Sequence, residues 1–253
     1  MTEDILQDRA DRPVVRIGDT VRHLAHPWSA ATRQLLLHLE AIDFPYAPRF
    51  LGIDEQGRDA LTYIAGDSGR DGWSRIVDER GLRNLAALLR DYHQAVKWFR
   101  PSTELAPGGP PPSDDDIVCH GDPGAWNVVW DGIRPVGLLD WEYAVHAPAR
   151  YDIGYALNYA VPFRDDATTV RWHHFPELPD RRHRLTAFAA AYGLDSTDGL
   201  LEAMLDAQRM TIERVRRLAA AGAPRQVAAI RDGGVEADEA QLRWCEQHRD
   251  LLG

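Results

Sequence analysis

The chain has 253 residues, 44% hydrophobic and 27% charged, the balance of a globular protein long enough to bury a core in one large or two modest domains. Its 39 acidic against 29 basic residues leave a formal charge of -10, which argues against a nucleic-acid partner, because neutralising phosphates needs a basic surface, and suits a cationic one. Two cysteines, Cys119 and Cys245, with no basic apolar leader and no run of membrane-spanning length, point to a reducing, cytoplasmic setting without a membrane.

Residues 1–12 are polar and read as a loose end. Val14 to Ile17 and Thr20 to Leu24 are two strands about the turn Gly18-Asp19, and a helix follows from Ser29, its expected cap, to about Ala41, with Leu35, Leu36 and Leu39 on its apolar side. Arg49 to Ile53 and Ala60 to Ile64 read as two more strands, and Ala65-Gly66-Asp67 breaks the pattern. Gly69 to Gly72 is a glycine-containing loop. Leucines at 82, 85, 88 and 89, with Tyr92, Val96 and Phe99, predict a helix from about Arg80 to Trp98. His93 on it reads as a core histidine, since no acidic partner shares its face. Pro101 to Ser113 is a loop, and Asp114-Asp115-Asp116 a solvated turn.

The informative stretch comes next. Ile117-Val118-Cys119 leads into His120-Gly121-Asp122, and Asn127 follows five residues after that Asp. Val128-Val129-Trp130 and Pro135 to Leu139 flank the turn Asp131-Gly132, and the second run ends in Asp140. An antiparallel hairpin with Val129 opposite Leu138 would set Asn127 opposite Asp140, close enough to share a ligand. Phosphoryl transfer asks for these residue types: a carboxylate near the acceptor hydroxyl, here Asp122, and hard oxygen ligands for Mg²⁺, here Asn127 and Asp140. His120 is assigned to packing within the loop. Each piece alone has an ordinary reading as a turn or a cap; the combination is the signal.

Asp152 opens an apolar helical pattern running to about Tyr159, where the residues alone read it as an N-cap. Asp165 to Glu177 is irregular and aromatic-rich, with Trp172 and Phe175 as candidate walls of an acceptor pocket. The adjacent His173 and His174 lack the third and fourth ligands that zinc requires. Three further helices are expected over 181–192, about 198–221 and about 235–252, with Gly222-Ala223-Pro224 as a stop. Arg209, Arg214, Arg216 and Arg217 read as a solvated face laced with Glu213.

His120-Gly121-Asp122 with Asn127 five residues on, then Leu139-Asp140-Trp141-Glu142, resembles the catalytic and metal loops of the aminoglycoside phosphotransferase family, related to choline kinases and more distantly to protein kinases. The resemblance implies a two-lobed α+β protein kinase-like fold: a small, truncated N-terminal sheet lobe over 1–66, a hinge at about 63–67, and a mainly helical lobe over 67–253 carrying the acceptor site. It implies a kinase that moves phosphate from ATP or GTP, with Mg²⁺, to a hydroxyl of a small molecule. Tyr63 and Ile64 then become the seat of the nucleotide base, and Asp152 gains a second reading beside the N-cap, as a brace for the catalytic loop through its backbone. The sequence departs from the family in having no glycine-rich phosphate loop before Val14, no lysine on the phosphate-contacting strand and no acidic partner for it on the first helix, where Thr32 aligns. Arg22 is the substitute for that lysine, although a planar guanidinium is not an equivalent point charge. A protein that keeps this fold and binds without transferring phosphate is the second reading; a metal-dependent hydrolase needs more ligands than the chain offers.

Overall fold

The structure, a computed structural model, describes residues 3–7, 13–107, 109–110 and 113–252, apart from the side chain of Trp172. Its first part is an antiparallel sheet of five strands, β1 (Asp4–Gln7), β2 (Val14–Ile17), β3 (Thr20–Leu24), β4 (Phe50–Ile53) and β5 (Arg58–Thr62), ordered β1-β2-β3-β5-β4, with α1 (Ser29–Ala41) inserted between β3 and β4. β1 was expected as part of a loose end. It pairs instead with β2, Ile5 opposite Val15, satisfying the backbone groups that β2 would otherwise leave open at the edge of the sheet; residues 1, 2 and 8–12 lie outside the described residues. Ser29 is the first helical residue and no cap: its hydroxyl accepts from His26 N at 2.9 Å. Leu35, Leu36 and Leu39 are buried in the common core as their spacing predicts.

The sheet ends at Thr62, and Asp67 then pairs with Trp130, exchanging N–H···O bonds of 2.9 and 2.8 Å. The expected glycine loop is a 3-10 turn over Gly69–Asp71 running into α2 (Gly72–Arg75). α3 (Glu79–Ala95) starts at Asp78, whose carboxylate accepts from Arg80 N at 2.8 Å, and it buries every leucine that its periodicity placed inward. β6 (Asp116–Cys119) follows, with Asp116 buried and accepting from the Ser113 N–H and hydroxyl, so the third acidic residue of that run is not solvated. β7 (Val128–Asp131) and β8 (Arg134–Leu138) form the hairpin, and β9 (Val145–Pro148), unforeseen because four residues ending in Pro carry no alternation, pairs with β6.

The rest is helical: α4 (Arg150–Ala160), α5 (Asp166–His173), α6 (Arg181–Tyr192), α7 (Leu200–Ala220), α8 (Pro224–Arg231) and α9 (Gly234–Gln247). α5 and α8 were missed, being two turns each with little apolar periodicity. Pro224, read as a stop, occupies the first turn of α8, where its missing N–H costs nothing. Phe175 is 5% exposed beneath the Arg184 guanidinium, 4.8 Å from its ring centroid, so it belongs to the core and not to a pocket wall; the side chain of Trp172 lies outside the description. α3 packs on α6 and α4 on α7. Among the described residues no helix is long and apolar enough to cross a membrane.

The α4–α7 crossing depends on Gly154, where a Cβ would sit 2.1 Å from the Ala203 carbonyl oxygen, a backbone atom that cannot step aside. Gly154→Val is expected to cost about 1–3 kcal/mol, and at roughly 2–4 °C per kcal/mol for a chain of this size thermal unfolding should report the loss directly.

Candidate active site

β6 delivers the catalytic loop. As the chain leaves Cys119, the His120 and Gly121 amides point inward and both donate to Asp152, at 2.6 Å to Oδ2 and 2.9 Å to Oδ1. Asp152 lies in the first turn of α4 with 0% exposure, and the helix has no side-chain cap, which decides between the two readings of this residue: it braces the loop. His93 Nε2 sits 3.1 Å from the same Oδ2, and its Nδ1 2.7 Å from the Tyr192 hydroxyl. The acidic partner that α3 itself lacks thus comes from α4.

His120 does what the sequence suggested. Its Nε2 donates to the Leu139 carbonyl at 2.8 Å, which leaves Nδ1 to accept the Asp122 N–H at 3.3 Å, and its ring packs on Trp141 at 4.6 Å. The loop then turns through Gly121, φ +83°, where a Cβ would meet the Tyr143 carbonyl oxygen at 1.9 Å; only glycine allows the catalytic loop to touch the segment after Asp140.

Asp122 Oδ2 accepts from Asn127 Nδ2 at 3.0 Å, and the same amide nitrogen donates to the Asp122 carbonyl at 2.9 Å. Oδ1 is buried and makes no hydrogen bond of ordinary length and angle, although the Tyr155 hydroxyl of α4 also approaches this carboxylate. Burial pushes the Asp122 carboxyl above its ordinary value and the Asp140 carboxylate adds to this, against the pull of Tyr155, Arg214 and His120. Commitment of the amide nitrogen to Asp122 leaves the oxygen end of Asn127 as its donor to a cation.

The hairpin register differs from expectation by one residue: Val128 lies opposite Leu138, and Trp130 opposite Pro135, with an irregularity between Val129 and Trp130. Proline donates nothing to a ladder, and β8 takes up an extra residue at Val136 beside it. Asn127 therefore faces Leu139, whose N–H donates to the Asn127 carbonyl at 2.7 Å, and Asp140 stands one step beyond. Asp140 is exposed and left-handed, φ 60° and ψ 64°, a conformation that costs a non-glycine residue roughly 1–2 kcal/mol and is frequent at functional sites. Asp140, an exposed carboxylate close enough to raise Asp122, and the Asn127 side-chain oxygen are hard-oxygen donors of the kind that suit Mg²⁺.

The nucleotide residues are less regular. Arg22 Nε lies 3.6 Å from Asp54 Oδ2, so the substitute for the strand lysine already has a carboxylate. α1 presents a cation to the sheet in place of the expected acid: Arg33 pairs with the buried Asp59 of β5 at 2.7 Å. Tyr63 carries the Arg16 guanidinium 3.8 Å above its ring, and Ile64 lies against Gly137, where a Cβ would be 2.9 Å from Ile64 Cδ1.

Two comparisons decide the family. Residues 98–183, which span the catalytic loop and hairpin, match the phosphotransferase enzyme family. The trifolitoxin immunity protein of Rhizobium leguminosarum bv. trifolii is 36% identical over 198 residues, 72% of this chain and 70% of that protein. The chain belongs to the phosphotransferase enzyme family. Its fold agrees with those of solved relatives: a choline/ethanolamine kinase family protein from Mesorhizobium loti (TM-score 0.58, 17% identity, 98% of this chain and 93% of that one), the GDP complex of aminoglycoside 2'-phosphotransferase-IIIa (0.58, 12%, 95% and 93%), and amicoumacin kinase in complex with AMP-PNP, Ca²⁺ and amicoumacin (0.58, 11%, 91% and 88%). This phosphotransferase is thus the two-lobed kinase-like protein, with a small sheet lobe and a mainly helical remainder, that the motif implied.

One residue of the helical part was misread. Arg214 is 6% exposed and reaches the catalytic loop, whereas Arg209, Arg216 and Arg217 are surface residues paired with Asp206 and Glu246, Glu239, and Glu213. Its signal was in the sequence: 214 falls seven residues after Ala207 and four before Leu218, on the buried stripe of α7. His173 is buried in α5 with Nδ1 on the Tyr159 carbonyl at 3.1 Å, while His174 lies beyond the helix end, so the pair shares no ligand. Among the described residues the one cluster with metal-ligating geometry is His93, Cys119 and Asp152, and its carboxylate is already taken by the loop amides.

Burial, with the Arg164 charge, lowers His173 to about 3, so the unfolded chain binds a proton that the folded one refuses. Stability contributed by the neutral ring is present above the ordinary histidine value and lost as pH falls from about 6.5 toward 3, with a limiting slope of about 1.4 kcal/mol per pH unit. His173→Asn, which retains a donor for Tyr159 but does not titrate, is expected to flatten that slope in urea unfolding measured across the same range.

Proposed function

We propose that this phosphotransferase transfers the γ-phosphate of ATP or GTP to a hydroxyl of a small molecule. The observation that carries the reading is Asp122: one carboxylate oxygen is fixed by Asn127, and the other is buried and makes no hydrogen bond of ordinary length and angle, although the Tyr155 hydroxyl also approaches this carboxylate. A group held in that way is set to accept one further hydrogen bond, and an acceptor hydroxyl supplies it. Asp122 Oδ1 orients that hydroxyl and takes its proton as the oxygen attacks phosphorus. Burial raises its pKa above the ordinary carboxylate value, which strengthens it as a base.

Asn127 Oδ1 and the Asp140 carboxylate would hold Mg²⁺, which when bound neutralises charge on the nucleotide phosphates. Asp152 fixes the base from behind by holding two consecutive amides. Tyr63 and Ile64 form the apolar seat for the base of the nucleotide, with Arg16 and Arg22 as the cations of the sheet. Free, buried Cys119 and Cys245 support a cytoplasmic setting, where the nucleotide is also found.

The acceptor reading starts from the relatives. One is named for immunity to a toxin, one is an amicoumacin kinase, and a third was solved with GDP and kanamycin. For this chain we infer a hydroxyl-bearing toxin or antibiotic as acceptor, inactivated by the phosphate it receives; the net charge of -10 suits a cationic one. Immunity by binding alone is a second reading, favoured by the engagement of Arg22 by Asp54 where a phosphate contact is needed.

Asp122→Asn is expected to lower phosphate transfer to hydroxyl acceptors by about 10²–10⁴-fold while leaving nucleotide affinity unchanged. Mass spectrometry of a panel of toxins and antibiotics incubated with enzyme and Mg·ATP or Mg·GTP reads the transfer; equal turnover by the variant removes Asp122 as the base. Mg·nucleotide at about 100 times its dissociation constant should stabilise the protein by roughly 2.7 kcal/mol. Asp140→Asn is expected to lose the Mg²⁺-dependent part of that thermal shift. A wild type unmoved by either nucleotide would support the binding-protein reading.

A further inference from the structure

Arg214 has an unusual place for an arginine. Its guanidinium is buried beneath the active site, donating from Nη1 to the Gly121 carbonyl at 2.9 Å and to the Tyr151 hydroxyl at 3.2 Å, with Cζ 4.3 Å above the ring of Tyr143. No carboxylate ion-pairs with it among the described residues. Desolvating a guanidinium without a paired acid is costly, so the contacts it does make must offset that cost. They join two segments that the sequence keeps more than twenty residues apart. Gly121 precedes the base Asp122; Tyr143 closes the 3-10 turn over Trp141–Tyr143 that follows Asp140. These segments touch where a Cβ on Gly121 would meet the Tyr143 carbonyl, and Arg214 covers that junction from α7. On the far side the Tyr143 hydroxyl accepts from Gln226 of α8 at 2.9 Å, so the ring is held between α7 and α8.

We propose that Arg214 is a positioning residue that clamps the loop of the base to the loop of the metal ligand and so fixes the separation of Asp122 and Asp140. A hydrogen bond from a charged donor holds one loop and cation–π contact holds the other. Lysine reproduces the first, as a point charge, but lacks the planar face that lies on Tyr143. The roles of the two loops rest on the phosphotransferase reading; the clamp itself does not, and it is measured without nucleotide.

The test is hydrogen exchange by mass spectrometry on the nucleotide-free full chain, wild type against Arg214→Met and Arg214→Lys. With methionine, peptides covering Gly121–Gly124 and those covering Trp141–Ala144 are expected to exchange about ten-fold faster or more, while β6, β9 and the rest of α7 keep their protection. With lysine, the Gly121 peptide recovers and the Tyr143 peptide does not. Acceleration confined to α7, or to one loop alone in the methionine variant, overturns the clamp. If the methionine variant does not fold, the lysine variant decides: equal protection of both loops, or equal loss, contradicts the split between the two contacts. Mg·ATP affinity, measured in parallel on the wild type, separates the two questions, since its absence counts against the kinase reading and leaves the exchange pattern to judge Arg214.

Discussion

One buried carboxylate organises the site. Asp152 accepts from two successive amides of the catalytic loop and lies in hydrogen-bonding reach of His93, so α4, α3 and the strand leading to Asp122 meet at a single group with no access to water. In that low-dielectric setting each bond is stronger than it would be in water, and the loss of any one leaves an orphaned donor. The loop has little other reason to adopt its shape, since His120 to Asn127 contains no regular element longer than a single 3-10 turn. Asp122 is positioned because Asp152 holds the backbone just before it.

The helical part relies on buried arginines in a similar way. Arg184 donates to the carbonyls of Ala160, Ile76 and Val77, and Arg181 to those of Pro162 and Arg164; these are backbone acceptors at the ends of α2 and α4 and in the turn after α4, left without intrahelical partners. Burial still lowers Arg184 to about 10, which leaves it charged at neutral pH. Arg214 belongs to the same class, except that its carbonyl lies in the catalytic loop.

The family motif was legible because it is local: Asp122, Asn127 and Asp140, the residues proposed for the chemistry, sit within nineteen residues, on a hairpin whose turn residues announce it. The register was missed by one because a bulge beside Pro135 leaves no mark in the hydrophobic pattern. The partners of the site come from far away in the chain. His93 seemed to lack an acid because the acid is on another helix, and Arg214 was grouped with exposed neighbours although the stripe of α7 already assigned it inward. Short elements were also lost: β9, α5 and α8 are fixed by what they pack against more than by their own periodicity. In the small lobe, the missing lysine and acid correspond to a rearranged set of charges, Arg33 with Asp59 and Arg22 with Asp54, that only the sheet register reveals.

Asp140 links stability and selection. Its left-handed backbone is one that glycine adopts freely, and the exposed side chain contributes little packing. A variant library sorted only for folding would therefore drift toward glycine at this position and gain about 1 kcal/mol, whereas, under the metal-binding role proposed for Asp140, one sorted for phosphate transfer would retain the acid. Position 140 is where the demands of the polypeptide and of its chemistry point in opposite directions, and the residue found there records which of them prevailed.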